Sequence, residues 1–129
     1  MSNYRYFNPN PSELDVGDCV IRALCKALDK TWAEVYVGLC VQGFIMHNLP
    51  NADAVWGEYL RSHNFSKRII PNTCPDCYTL GEFARDNPYG TYVIGTGTHA
   101  VTVKDGVIYD SWRSDDVVPA FQYYKKEGY

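Results

Sequence analysis

Asp15-Val16-Gly17-Asp18-Cys19-Val20-Ile21-Arg22-Ala23-Leu24 reads as a glycine-containing turn running directly into an amphipathic helix, with a thiol where the helix opens. Ile21, Leu24, Cys25 and Leu28 fall at i, i+3, i+4 and i+7. That apolar stripe predicts a helix over residues 18–29 with one face against a core. A cysteine at such a position meets the unpaired N–H groups and the positive dipole end of the helix, which favour thiolate over thiol.

Upstream, Asn8-Pro9-Asn10-Pro11 holds two Asx-Pro turns, which exclude helix and predict an extended run over the surface. Downstream, Thr31-Trp32-Ala33-Glu34 is a capping box, so a second helix is expected from there to about Phe44. Asn51 is the expected N-cap of a third helix, with Val55, Trp56, Tyr59 and Leu60 on its buried face. Arg68-Ile69-Ile70 suggests a short strand, and the second capping box, Thr79-Leu80-Gly81-Glu82, predicts a short fourth helix ending near Asn87-Pro88. After Gly90 the pattern becomes strand-like: residues 91–95 and 99–103, a hairpin turn at Lys104-Asp105-Gly106, a return strand at residues 107–110, and a further one at residues 121–125. Helices first and an antiparallel sheet last predict a single α+β domain over residues 1–129.

The bulk properties agree with an ordinary globular chain, 46% apolar and 21% charged. A net charge of −3 without a basic run argues against nucleic-acid binding. The first eight residues have no apolar core of a signal peptide, and no run approaches the ~18 apolar residues that suggest a membrane span. A cytoplasmic protein with no membrane partner is the expectation, with its five cysteines mostly reduced.

A free thiol is only a few per cent ionised at neutral pH, so a nucleophilic cysteine needs a partner that takes its proton. Thr98-His99-Ala100-Val101 offers an imidazole on one strand, and Tyr109-Asp110-Ser111-Trp112 offers a carboxylate on the next. A turn centred on Asp105-Gly106 sets Lys104 opposite Val107 and leaves Asp110 diagonal to His99, with the parity depending on the turn type. An acceptor at that position would hold the imidazole in one tautomer.

Gly17-Asp18-Cys19 opening a helix, Gly97-Thr98-His99-Ala100-Val101 on a strand and Tyr109-Asp110-Ser111-Trp112 on the next resemble the papain-like cysteine peptidase superfamily. The likeness is greatest to its small bacterial and phage members, near the double-glycine leader peptidases and the cell-wall endopeptidases. The resemblance implies N-terminal helices packed on a C-terminal antiparallel β-sheet. It implies Cys19 as nucleophile, His99 as general base and acid, and Asp110 as orienter. The expected activity is a thiol hydrolase cleaving a peptide, isopeptide or amide bond of a peptide or protein substrate, with no cofactor and no metal.

In such enzymes the oxyanion is shared between the nucleophile's backbone N–H and a side-chain amide a few residues upstream, usually Gln. Glu13 stands six residues before Cys19, and a carboxylate cannot donate there. Asn8 or Asn10 is then the expected amide, with the Asp18 or Cys19 backbone contributing. The Glu13 departure keeps two other readings open: a non-catalytic interaction protein on the same fold, and an acyl transferase using the same thioester.

Cys74-Pro75-Asp76-Cys77 fits half a zinc site, a redox dithiol, or an incidental pair in a tight turn. No second C-x-x-C completes a metal site, and the loop setting does not suit a thioredoxin-like motif, so an incidental pair or an opportunistic disulfide is preferred. Cys25 and Cys40 are expected in the core on helical apolar faces. Trp112 is expected either to shield the His99–Asp110 pair or to serve as a plain core residue.

Overall fold

The computed structural model describes residues 3–125. In chain order the elements are β1 (Asn3–Tyr6), α1 (Cys19–Leu28), α2 (Trp32–Met46), α3 (Asp53–Arg61), β2 (Phe65–Ile69), α4 (Leu80–Asp86), β3 (Thr91–Gly95), β4 (Ala100–Lys104), β5 (Val107–Asp110) and β6 (Phe121–Lys125). The fold is α+β, with four helices and one six-stranded mixed sheet of order β1-β5-β4-β3-β6-β2 among the described residues.

Both capping boxes form as the sequence predicts. The Thr31 hydroxyl accepts from the Glu34 N–H while the Glu34 carboxylate accepts from the Thr31 N–H, and Thr79 and Glu82 repeat the arrangement at α4. The β4–β5 hairpin turns on Asp105 and Gly106, whose φ angles of 50° and 76° are the pair of positive values a type I′ turn requires. Lys104 therefore stands opposite Val107, and Val103 opposite Ile108.

Three expectations are corrected. The sheet is not purely antiparallel, because Asn3–Tyr6 runs parallel to β5 and forms one edge, with Tyr4 opposite Ile108 and its hydroxyl donating to the Asp110 carbonyl. The third helix is capped at Ala52, leaving Asn51 outside it. Cys40 is exposed rather than in the core. Helix α2 is apolar on nearly every side, so periodicity could not choose its buried face. Tertiary contact chooses the line Val35, Leu39 and Gly43 instead.

Helices pack on both faces of the sheet. Leu24 and Cys25 of α1, Val35 and Leu39 of α2, and Trp56 and Leu60 of α3 bury against Phe65, Val93, Ala100 and Tyr123. Leu80 and Phe83 of α4 bury against Ile94, Val101, Val103 and Ile108. Neighbouring residues such as Val93 and Ile94, or Ala100 and Val101, thus serve opposite layers, as strand alternation demands. Helix α1 crosses β4, where the Thr102 hydroxyl donates to the Ala23 carbonyl at 2.6 Å. That crossing carries the start of α1 to the ends of β4 and β5.

Candidate active site

Cys19 is the first residue of α1, and His99 lies one residue before β4 rather than within it. A tight loop positions the histidine: the Thr96 hydroxyl accepts from the N–H groups of Thr98 and His99, and the Thr96 N–H donates to the His99 carbonyl at 2.9 Å. Asp110 closes β5 and is fully buried. His99 Nε2 meets Asp110 Oδ2 at 2.7 Å, which leaves Nδ1 as the ring nitrogen free for another partner. The three residues named from the sequence meet at one place.

The electrostatics of the three residues are interdependent. Burial, the largest influence, pushes the Cys19 thiol up, but hydrogen bonding to His99 and to the Ala100 backbone outweighs it, and the net pKa lies below that of an ordinary thiol. Burial alone would depress His99. Hydrogen bonds to Asp110 and Cys19, with their charges, instead raise it to about 9. For Asp110, burial acts upward and is overcome by hydrogen bonds from His99 and Ser114, so its pKa is lowered. The lowered thiol and the raised imidazole both favour a thiolate–imidazolium pair, with a carboxylate beside the imidazolium.

Sequence reasoning missed the residues that hold Asp110. Arg22, 5% exposed, donates from Nε to Asp110 Oδ1 at 3.1 Å and from a terminal nitrogen to Asp18 Oδ1 at 2.9 Å. Ser114 Oγ donates to Asp110 Oδ2 at 2.7 Å, and the Ser111 N–H donates to Oδ1 at 2.8 Å. Trp32 Nε1 donates to the second oxygen of Asp18 at 2.9 Å. No buried side-chain polar atom among the described residues lacks a partner. The i, i+4 spacing of Asp18 and Arg22 was a visible signal for part of this network.

The same network leaves the helix end open. Asp18 is the N-cap of α1, yet its side chain makes no capping bond, being engaged by Arg22 and Trp32 instead. The first α1 amide with a helical partner is that of Arg22, bonded to the Asp18 carbonyl. The amides of Cys19, Val20 and Ile21 face the helix start without an acceptor among the described residues, in the zone of positive dipole potential.

A cavity of about 580 Å³ opens on Cys19. Its walls come from the α1 start, from Tyr36, Leu39 and Cys40 of α2, from Pro50, Asn51 and Trp56, and from the Thr96–Ala100 loop. A second depression on the other side of Cys19 is bounded by Asp15, Ser111 and Trp112. Trp112 packs on the His99 ring with centroids 4.9 Å apart and stays 47% exposed, so it is a partial shield rather than a core residue.

Asn8 and Asn10 do not line either space. Asn8 Nδ2 donates to the Leu14 carbonyl, and the two Asn Oδ1 atoms accept from the Asn10 and Ser12 N–H groups. These are the local bonds that Asx turns favour, and they hold the loop rather than the cavity. Asn51 is the side-chain amide on the cavity wall, and it makes no hydrogen bond among the described residues. Cys74 and Cys77 form a disulfide away from this cavity, and no cluster of metal-ligating side chains occurs among the described residues. No helix is long and apolar enough to cross a membrane among the described residues. No known protein family matches the chain, and no curated protein or solved structure matches it either.

Proposed function

We propose that this chain is a papain-like thiol hydrolase that cleaves a peptide, isopeptide or amide bond through a thioester on Cys19. The observation that carries the reading is the convergence of Cys19, His99 and Asp110 from three separate segments, Cys19 and His99 on the wall of a cavity and the buried Asp110 fixing the ring through a 2.7 Å bond.

The Cys19 thiolate attacks the substrate carbonyl carbon, and the C=O electron pair moves onto oxygen. Unpaired amides at the α1 start supply donors and a favourable dipole for that oxyanion. The tetrahedral species collapses as the C–N bond breaks, and the His99 imidazolium gives its proton to the departing amine. A water then attacks the thioester while neutral His99 takes its proton. The acid product leaves, and the thiolate and imidazolium are restored. Asp110, itself held by Arg22 and Ser114, keeps the ring oriented and stabilises its charged form throughout.

Labelling with iodoacetamide at pH 6, read by intact mass and peptide mapping, tests the thiol; a peptidyl vinyl sulfone tests the hydrolase-type site. Rapid modification at Cys19 alone, lost in His99→Ala, and vinyl sulfone capture lost in Cys19→Ala are expected. Labelling of Cys19 no faster than that of the exposed Cys40 would instead mark an inert thiol and a binding protein.

A further inference from the structure

We infer that the solvent-facing side of α2 is a self-association surface through which two copies of this chain pair about a two-fold axis. Helix α2 buries Val35, Leu39 and Gly43 against the rest of the fold, and its opposite side is also apolar. Ala33, Tyr36, Val37, Cys40, Val41, Phe44 and Ile45 are all exposed there. Ala33, Val37, Cys40 and Phe44 are spaced four, three and four residues apart, the seam pattern by which helices pack on one another.

The size of the face says what covers it. Val37 is 59% exposed, Phe44 82%, Ile45 65% and the adjoining Leu49 69%, with Tyr36 and Val41 near half. Together these six side chains present roughly 700 Å², close to the ~800 Å² per partner of a standard interface and above the patches usual on monomers. The only charged residue in α2 is Glu34, which its capping box already engages. Beyond that first turn a copy of the same face brings no like charge against itself, which favours a two-fold pairing. Membrane-surface helices border their apolar side with Lys and Arg, and α2 has neither.

The pairing reaches the candidate active site without depending on its chemistry. Tyr36 and Cys40 belong both to this face and to the wall of the Cys19 cavity, so the second copy lies at the cavity rim. Sedimentation velocity and light scattering from 1 to 200 µM test the inference. The expected result is a species of twice the 14.7 kDa chain mass. Phe44→Glu and Val37→Glu should each raise the dissociation constant at least tenfold with unchanged circular dichroism, both side chains being exposed. Tyr89→Glu, on the equally exposed loop before β3, should leave it unchanged. A monomer at 200 µM overturns the inference, whether or not that monomer binds lipid vesicles. So does a dimer untouched by Phe44→Glu.

Discussion

Arg22→Met isolates what the buried ion network contributes, because methionine keeps much of the side chain's length and apolar packing while removing its charge. In the wild type the guanidinium joins Asp18 at 2.9 Å and Asp110 at 3.1 Å, and the three residues are between 0% and 6% exposed. Removing the cation leaves two buried carboxylates that have lost their common partner. Breaking a buried pair in this way costs about 3–5 kcal/mol, whereas an exposed pair is worth ~0–1 kcal/mol. For a chain of 129 residues, each kcal/mol lowers the melting temperature by about 4 °C. The variant should therefore melt roughly 12–20 °C below wild type in calorimetry at pH 7. Protonating Asp110 removes a charge that Arg22 balances, so the gap should narrow below about pH 4. Arg22→Lys should fall between the two, since an ammonium cannot span both carboxylates with a planar fork. A drop under ~4 °C for Arg22→Met would place the network among surface pairs and refute the argument.

His99 should lose its ring proton near pH 9, and in Asp110→Asn that value should move toward 6.5; ring NMR signals follow both, and an unmoved titration would remove Asp110 from the role of orienter. Asp110, lowered in the folded state, contributes stability that is present above its unfolded pKa of about 3.9 and is lost on acidification through its folded value; melting temperatures from pH 7 to 2 should fall along that limb, and less so in Asp110→Asn. Gly95→Ala would drive a methyl into the Phe121 ring inside the sheet, an overpacking cost of about 1–3 kcal/mol, while Gly97→Ala meets nothing within 4 Å and should melt with wild type.

The legible parts of the fold were those with local causes. Capping boxes at Thr31 and Thr79 name their own helix starts, and Asp105-Gly106 names its own turn, so α2, α4 and the β4–β5 hairpin appear within a residue or two of expectation. That hairpin register set Asp110 diagonal to His99 but left open which face each side chain takes, and their 2.7 Å bond is a finding of the fold. Non-local causes were not legible. Asn3–Tyr6 is four residues long and becomes a strand only because β5 offers it an edge. Arg22 looked like any polar residue on α1, since its second carboxylate lies 88 positions away. The amide expected from Asn8 or Asn10 failed for the opposite reason: their local turn bonds outcompete any distant role.

The strand order sets a timetable for the thiol. Strand β6, the last element of the described chain, lies between β3 and β2, so the sheet cannot close until residue 125 has left the ribosome. Cys19 is made early, but the groups that lower its pKa arrive some 80 residues later. A nascent chain thus carries an ordinary thiol on a helix with no completed sheet to pack against. The lowering of the Cys19 pKa thus depends on the finished sheet and not on the helix that carries the thiol.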